Sequence, residues 1–274
     1  MQATALLLHA FLAFPTPQLR PSLPLPPRER AVLHGVVGRN ETIPNGSLLR
    51  IDLHANTVQD VGPILGRKEL YYPADGTPDP DGRHFWIAQT QFGGSPAAWR
   101  TWLQRIDLET RKEDRWVPTQ GTVLLDGLVF APDGQLLAAN NARSPVELVR
   151  VNLQTGAVTH VGDIDQGSVR GMGFRGNDLW AVFEKRTDPP LHVEELLKLS
   201  TTGGSILARV ALPLGPHHHA TALTFSPSGR CIVAIVTETS GEEHRLCQVD
   251  LATGALTTLG SAFIVPHGMG AAVR

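Results

Sequence analysis

The segment from Leu148 to Gly162, LVRVNLQTGAVTHVG, decides the fold of this chain. Its first half alternates apolar and polar residues with a period of two, as a strand with one buried face does. Thr155 and Gly156 then form a turn signal, because glycine adopts positive φ angles without steric cost. A second alternating stretch follows, so the segment predicts a β-hairpin. Asn152, just before the turn, is expected to cap it through hydrogen bonds to the local backbone.

The same hairpin pattern recurs along the chain. Four further segments match it, the last more loosely: LLRIDLHANTVQDVG from Leu48, LQRIDLETRKEDRWV from Leu103, LCQVDLATGALTTLG from Leu246 and LLKLSTTGGSILARV from Leu196. The polar residues before the turns are Asp52, Asp107, Asn152, Ser200 and Asp250, at spacings of 55, 45, 48 and 50 residues. Strand-rich repeats of this length are typical of β-propeller blades. We interpret the repeated polar residue as a turn cap and not as a catalytic group.

A second pattern precedes the later hairpins. It reads LDGLVFAPDGQLLAANN from Leu125, VRGMGFRGNDLWAVFE from Val169 and ATALTFSPSGRCIVAIV from Ala220. It predicts an inner strand of small residues, a turn and an apolar second strand, so each blade has four strands. The first blade lacks such an inner strand, whereas residues 265–273 match one with nothing after it. The sequence therefore predicts an all-β fold, a five-bladed β-propeller of four-stranded antiparallel blades, whose ring is closed by the C-terminal strand completing blade one.

Composition excludes several classes of protein. The chain has 274 residues, of which 42% are hydrophobic and 18% charged, with a formal net charge of -2. Apolar content this high with so little net charge excludes disorder for most of the chain. The absence of basic clusters argues against nucleic acid as a partner. Cys231 and Cys247 are predicted on neighbouring strands about three positions out of register, and we expect buried free thiols.

The N-terminal residues carry a separate signal. Ala3 to Phe14 form a 12-residue, mainly apolar run, which is shorter than the roughly 20 residues of a membrane-spanning helix. Such a run is typical of a secretory signal peptide, although no Lys or Arg precedes it and no clean cleavage site follows; a frayed tail or a misassigned start is the alternative. We expect a signal peptide at 1–14, a Pro-rich linker at 15–30 and a propeller domain at 31–274. The predicted protein is a secreted or periplasmic monomer that is not transmembrane.

The repeats resemble those of YVTN-type and gluconolactonase-like β-propeller proteins, mostly secreted bacterial proteins. The resemblance rests on LDGLVFAPDG at 125–134 and on LVRVNLQTGAVTHVG at 148–162, with their counterparts in the other blades. The resemblance implies a fold but no particular function, because propellers of unrelated function share these motifs. Gluconolactonase-like members have six blades and hold calcium or zinc at the top of the channel. This chain departs from them in blade number, and Asp126 alone matches a ligand position of that family.

Polar residues of different chemistry stand where successive inner strands begin. In propellers the loops before the inner strands share one face with the loops between second and third strands, and ligands bind there over the mouth of the central channel. The predicted ligand-binding residues are Asp126, Arg170, Thr221 and His267 before inner strands, and Asn140, Asn141, Glu184 and Glu238 in the other loops. Asp75 is the weakest match among the inner-strand positions.

A histidine run stands out before the fifth inner strand, at His217 to His219. Imidazole is a common metal ligand. Adjacent residues on an extended chain point to opposite sides, so only one of the three can join a given ion. His219 with His267 and Asp126 would make a site for a divalent cation, calcium or zinc, of the two-His-one-carboxylate kind. A solvated polar loop is the alternative.

These observations support three hypotheses about function. The first is an exported propeller that acts as a scaffold, without catalysis, and binds a small molecule, a glycan or a protein at the channel mouth. The second is a metal-dependent hydrolase or lyase, lactonase-like or esterase-like, in which Arg170 is catalytic and stabilises developing negative charge. The third is carbohydrate binding through Trp99 and Trp102.

Overall fold

The structure is a computed structural model, and it describes residues 30–37, 46–55, 57–65, 72–91, 99–185, 193–215, 217–237, 244–262 and 266–271. The predicted signal peptide at 1–14, and the predicted linker at 15–30 except for Arg30, lie outside the described residues. Within the described ranges the chain is all strand, turn and loop. These ranges contain no helical segment with the length and apolar character that a membrane crossing requires.

In the part of the chain that the structure describes, twenty strands form five sheets of four, each antiparallel and each one blade. Blade I contains β1 (Val32–Val36), β2 (Ser47–Asp52) and β3 (Thr57–Pro63). Blade II contains β4 (Tyr72–Pro78), β5 (His84–Gln91), β6 (Arg100–Asp107) and β7 (Glu113–Pro118). Blade III contains β8 (Leu125–Phe130), β9 (Leu136–Asn140), β10 (Glu147–Val151) and β11 (Val158–Asp163). Blade IV contains β12 (Gly167–Arg175), β13 (Asp178–Lys185), β14 (Val193–Leu199) and β15 (Ile206–Ala211). Blade V contains β16 (His218–Phe225), β17 (Cys231–Thr237), β18 (His244–Val249) and β19 (Leu256–Ala262), and β20 (Gly268–Ala271) returns to blade I.

The ring is closed by the last strand, as the sequence predicts. Strand β20 pairs antiparallel with β1, with Leu33 opposite Ala271 and Val36 opposite Gly268. The inner strands β20, β4, β8, β12 and β16 contact one another in that order, and β16 contacts β20 again. The predicted five-bladed propeller, its four-stranded blades and its mode of closure are confirmed.

Apolar side chains fill the spaces between neighbouring blades. Leu148 of blade III packs in one cluster with Phe183 of blade IV, and both are fully buried. Equivalent clusters of the described residues join blades IV and V, II and III, V and I, and I and II. Near the axis the inner strands approach so closely that a Cβ atom on Gly268 would lie 2.0 Å from the backbone nitrogen of Gly76. This crowding explains why the inner strands are rich in small residues.

The repeated polar residues cap turns, as predicted. Asn152 Oδ1 accepts hydrogen bonds from the backbone N–H groups of Gln154 and Thr155, at 2.8 and 3.0 Å. The carboxylates of Asp52, Asp107 and Asp250 accept equivalent bonds, and the Ser200 hydroxyl accepts one from Thr202. None of these residues lies at the channel mouth, so their recurrence reflects blade construction.

The two cysteines are buried free thiols, as predicted. Cys231 lies opposite Val249 and Cys247 lies opposite Val233 on the paired strands β17 and β18. The offset is therefore two positions, and not the three expected. Burial raises the pKa of the Cys231 thiol to about 12, so this thiol is unreactive at neutral pH.

Candidate functional site

A polar cluster occupies the end of the channel where the inner strands begin. The motif pattern aligns five equivalent positions, one on each inner strand or just before it, and these mouth positions are Ala74, Asp126, Arg170, Thr221 and His267. The register with the second strand shifts at this level in β4, β8, β12 and β16. Arg170 and Thr221 are the extra residues of two such bulges. A bulge leaves one residue without a partner in the sheet ladder and redirects its side chain, which suits a functional position.

Arg170 is the cation of this cluster. Its Nε and Nη2 atoms donate to Glu184 Oε2 on the neighbouring strand β13, at 3.1 and 2.5 Å. Burial lowers the pKa of Arg170, but the attraction of Glu184 and Asp126 outweighs that effect and the pKa lies above its ordinary value. The side chain is 47% exposed, and no described residue accepts a hydrogen bond from Nη1. With respect to the described residues, Arg170 can therefore offer its Nη1 donor to a ligand.

Asp126 is the carboxylate contributed by blade III. Its Oδ2 accepts a 2.5 Å hydrogen bond from Asn141 Nδ2. Asn141 also donates to the Val169 carbonyl at 2.8 Å and accepts from the Val169 N–H at 3.0 Å, so it connects blades III and IV. Burial raises the pKa of Asp126 to about 6, against the opposing effects of Arg170 and Asn141. Asp126 can therefore gain or lose a proton near neutral pH.

Glu194 and His219 join blades IV and V beside the cluster. Glu194 lies at the start of β14, is only 3% exposed, and its Oε2 accepts a 2.8 Å hydrogen bond from the Ala220 N–H. Its Oε1 lies 3.2 Å from His219 Nδ1. Burial raises the pKa of Glu194, opposed by Ala220 and His219. Glu194 was not among the residues predicted from the sequence; the available signal was a carboxylate in phase with the buried position Leu196.

His267 supplies an imidazole from the segment leading into β20. Its backbone N–H donates to the Val36 carbonyl at 2.9 Å, which fixes the segment against blade I. Burial, followed by the positive charges of Arg170 and His244, lowers the pKa of His267 to about 4. The ring is therefore neutral at physiological pH. Thr221 lies beside this segment and donates to the Pro266 carbonyl at 3.0 Å.

The mouth position of blade II is Ala74, so the sequence alignment of Asp75 is wrong by one residue. The bulge in β4 lies between Pro73 and Asp75 and moves Asp75 out of that position. Asp75 is 2% exposed and accepts hydrogen bonds from the Gly76 and Leu128 N–H groups at 2.7 and 2.6 Å. Burial raises the pKa of Asp75 well above its ordinary value, opposed by the Gly76 N–H and reinforced by Asp126.

The remaining predicted residues divide into three groups. Asn141 and Glu184 belong to the cluster through Asp126 and Arg170. Asn140 is buried, donates to Glu147 at 2.9 Å and accepts from the Leu124 and Ala142 N–H groups, so its polar atoms are engaged within blade III. Glu238 lies outside the described residues. Trp102 stacks on Trp116, with ring centroids 5.9 Å apart.

The predicted metal ligands do not converge. Among the described residues, Asp126, His219 and His267 do not bring ligand atoms within 4.8 Å of one another, and His219 contacts Glu194 instead. The group that meets this distance is Glu147, His160 and Asp163, on the exposed side of blade III. The donor set at the mouth therefore does not fit a single ion in the arrangement of this structure.

The mouth cluster combines donors and acceptors around one cation. Arg170 is electrostatically coupled to Asp126 from blade III, to Glu194 of its own blade and to His267 beside blade I. At neutral pH the cluster holds a guanidinium, partly buried carboxylates and a neutral imidazole. Such a set can hydrogen-bond a polar ligand from several directions, and it can exchange protons through Asp126.

Comparisons with known proteins show resemblance at the level of the fold. No protein-family model and no curated protein matches the sequence. Similar solved structures include hydrazine synthase from Kuenenia stuttgartiensis, with 12% identity, a TM-score of 0.45, and coverage of 77% of this chain and 59% of that one. They also include TolB from Acinetobacter baumannii, with 16% identity, a TM-score of 0.49, and coverage of 85% and 53%. A protein from Bacteroides uniformis assigned as a 6-phosphogluconolactonase has 12% identity, a TM-score of 0.49, and coverage of 84% and 82%. The chain thus spans little more than half the length of the first two structures.

The class of protein is therefore defined by architecture: a five-bladed β-propeller with a polar cluster at one end of its channel. Structures assigned as a gluconolactonase or a 6-phosphogluconolactonase are among the similar ones, in line with the resemblance that the repeats suggest. Activity does not transfer across similarities this low.

Proposed function

We propose that this protein is an exported β-propeller that binds a small polyhydroxylated molecule, such as a sugar or a sugar acid, at the channel mouth. The proposal rests on the coupling of Arg170 with Asp126, Glu194 and His267. These groups come from several blades, and propeller ligands bind where such groups converge. A polyol suits the cluster because each hydroxyl group can both donate and accept a hydrogen bond. The carboxylates need donors, the guanidinium needs acceptors, and the neutral imidazole can bond with either.

The binding test uses calorimetry with the full-length protein and three probes: glucose, gluconate and glucono-δ-lactone. We expect at least one probe to bind, and the Arg170→Gln variant to weaken that binding at least tenfold. Arg143→Gln is the matched control, because Arg143 carries the same charge in an exposed loop, with its Nε 4.0 Å from Glu147 Oε2, and is not among the charges that shift the pKa of Asp126 or His267. Failure of all three probes to bind, or equal affinity in wild type and Arg170→Gln, would overturn the proposal.

A second candidate is a lactonase-like or esterase-like hydrolase, or a lyase. The supporting observation is a carboxyl group with a pKa of about 6, Asp126, together with a neutral His267; the charge of Arg170 acts on both. General acid-base catalysis favours a pKa near the working pH. In this reading Asp126 moves a proton and Arg170 stabilises developing negative charge.

The hydrolase candidate is tested by following ring opening of glucono-δ-lactone, with EDTA and again with added calcium or zinc. Turnover above the spontaneous rate that is lost in Asp126→Asn supports it. Turnover only with added metal would restore the divalent-cation version, in which His219 must leave Glu194. If no turnover is seen either with EDTA or with added metal, the hydrolase candidate is contradicted. The binding proposal is then tested separately by the calorimetry described above.

Export is the other part of the proposal, and the apolar run from Ala3 to Phe14 supports it. The test fuses residues 1–30 to alkaline phosphatase, an enzyme that becomes active only after export into an oxidising compartment. Phosphatase activity with this fusion supports export. The control fusion joins the protein from Ala31 onward to the same phosphatase and so lacks residues 1–30. If the two fusions show equal phosphatase activity, the export proposal is contradicted.

A further inference from the structure

The channel has a cavity at the end opposite the polar cluster. It has a volume of about 600 Å³ and lies where the inner strands end. The last residues of the motif in each inner strand contribute to its wall: Pro78, Phe130, Phe174, Phe225 and Ala271. This volume falls within the roughly 300 to 1,000 Å³ that small-molecule sites occupy.

The wall of this cavity is asymmetric. Three equivalent positions in blades III, IV and V carry phenylalanine, whereas blade II carries Pro78 and blade I carries Ala271. Met172 and Met269 add further apolar surface beneath them. A structural plug would be served by five similar side chains. The three rings also pack in the clusters between blades, so it is their remaining surface that lines the cavity opposite the two small residues and can contact an apolar group.

One guanidinium at the rim has no hydrogen-bond or ion-pair partner among the described residues. It belongs to Arg175, which follows Phe174 directly, is exposed and pairs through its backbone with Asp178. Its charge acts on the buried thiol of Cys231. Its Nε lies 3.6 Å from the point that a Cβ atom on Gly229 would occupy, so the side chain lies across the boundary between blades IV and V. The carboxylate that shares the cavity, Asp79, is engaged by Trp86 Nε1 at 2.8 Å.

We propose that this cavity binds a small apolar molecule that carries a single carboxylate. The apolar part lies against Phe130, Phe174 and Phe225, and the carboxylate pairs with Arg175. Arginine suits this role because its planar guanidinium binds a carboxylate through two parallel hydrogen bonds. The proposal does not depend on the polar cluster, since the two sites lie at opposite ends of the channel.

The test measures binding of octanoate to the full-length protein by calorimetry, with octylamine and 1-octanol as probes of the same chain length. We expect octanoate to bind best, 1-octanol to bind more weakly and octylamine to bind least. Arg175→Gln is expected to weaken octanoate binding about tenfold and to leave 1-octanol unchanged. Arg143→Gln is expected to change neither.

A second variant, Ala271→Phe, places a ring at the one equivalent position occupied by alanine and narrows the cavity. It is expected to weaken binding of octanoate and 1-octanol alike, while circular dichroism and thermal unfolding report whether the fold is retained. Three outcomes would overturn the proposal. Octylamine could bind as tightly as octanoate, or Arg175→Gln and Arg143→Gln could weaken octanoate binding equally. The third outcome is that octanoate does not bind to the wild type. Arg175→Gln alone keeps the proposal testable if Ala271→Phe does not fold.

Discussion

Asp75 of blade II accepts a 2.6 Å hydrogen bond from the backbone N–H of Leu128 in blade III. The same side chain accepts from Gly76 at 2.7 Å, and a Cβ atom on Gly268 of blade I would lie 2.2 Å from its Oδ1. Three inner strands therefore meet at one buried carboxyl group. Asp75 joins blades at the axis, and its position beside the mouth reflects this structural role and not ligand binding.

Replacing Asp75 by asparagine is expected to lower the free energy of unfolding by about 2 kcal/mol, because one amide N–H₂ then faces a backbone N–H and a buried donor loses its acceptor. Urea unfolding measures the change. Asp133→Asn is the control: Asp133 accepts from Gln135 N–H in an exposed turn, and its replacement is expected to cost less than about 1 kcal/mol. Equal costs for the two variants would contradict the role assigned to Asp75.

Gly134 and Gly156 form a matched pair for testing the packing between blades. Both have positive φ angles, +80° and +70°. A Cβ atom on Gly134 meets nothing within 4 Å, whereas one on Gly156 would lie 1.9 Å from the Pro118 carbonyl oxygen of blade II. We expect Gly134→Ala to cost about 1 kcal/mol from backbone strain alone. Gly156→Ala is expected to cost at least about 3 kcal/mol, since strain and a backbone clash add. Urea unfolding measures the free energy of unfolding of both variants. If the two variants lose similar amounts, the backbone between blades II and III must move to accommodate the added Cβ atom.

Arg170 is expected to control the titration of two neighbours in the same direction. Its positive charge lowers the pKa of Asp126 and that of His267. Arg170→Gln should therefore raise the pKa of His267 from about 4 toward its ordinary value and move that of Asp126 above 6. Side-chain NMR titrations measure both groups. A His267 pKa that is unchanged in Arg170→Gln, or equally changed in Arg143→Gln, would separate His267 from the cluster.

His267 also makes stability depend on pH. Its folded pKa of about 4 lies below the ordinary 6.5, so the unfolded chain binds a proton first as the pH falls. Its contribution therefore destabilises the fold progressively from about pH 6.5 down to pH 4. Asp126 acts in the opposite sense, because its folded pKa of about 6 exceeds its ordinary 3.8 and stability rises as the pH falls through that range.

Because the two effects oppose each other, the measurement is the difference between wild type and His267→Gln. We expect the wild type to lose roughly 2 kcal/mol relative to the variant between pH 6.5 and pH 4, allowing for solvent at the channel mouth. Thermal or urea unfolding at several pH values gives the difference. A difference that stays constant over this range would show that His267 titrates normally.

Much of the fold was predictable from local signals. Alternation with period two, the turn glycine and the polar cap act within about fifteen residues, so Asn152 and its equivalents identify each hairpin without tertiary information. Ring closure was also predictable, because the C-terminal residues around Met269 match an inner strand that blade I lacks. The same alignment named Arg170 and Glu184 as separate candidates, but not the ion pair between them.

What local pattern did not determine is which residue of an inner strand reaches the mouth. A bulge shifts the register by one residue, and in β4 it lies between Pro73 and Asp75, so that Asp75 is buried at the axis. The pairing of Glu194 with His219 likewise joins two blades, so neither residue reveals it alone.

The sequence by itself determined that this chain forms five four-stranded blades closed by its last strand, because the hydrogen bonds and apolar alternation of a blade are encoded within each repeat of about 50 residues. Only the tertiary structure decided how the two ends of the channel differ. The polar cluster around Arg170 and the apolar cavity beside Arg175 are each assembled from different blades, and no segment of the sequence records the distance between groups that the closed ring brings together.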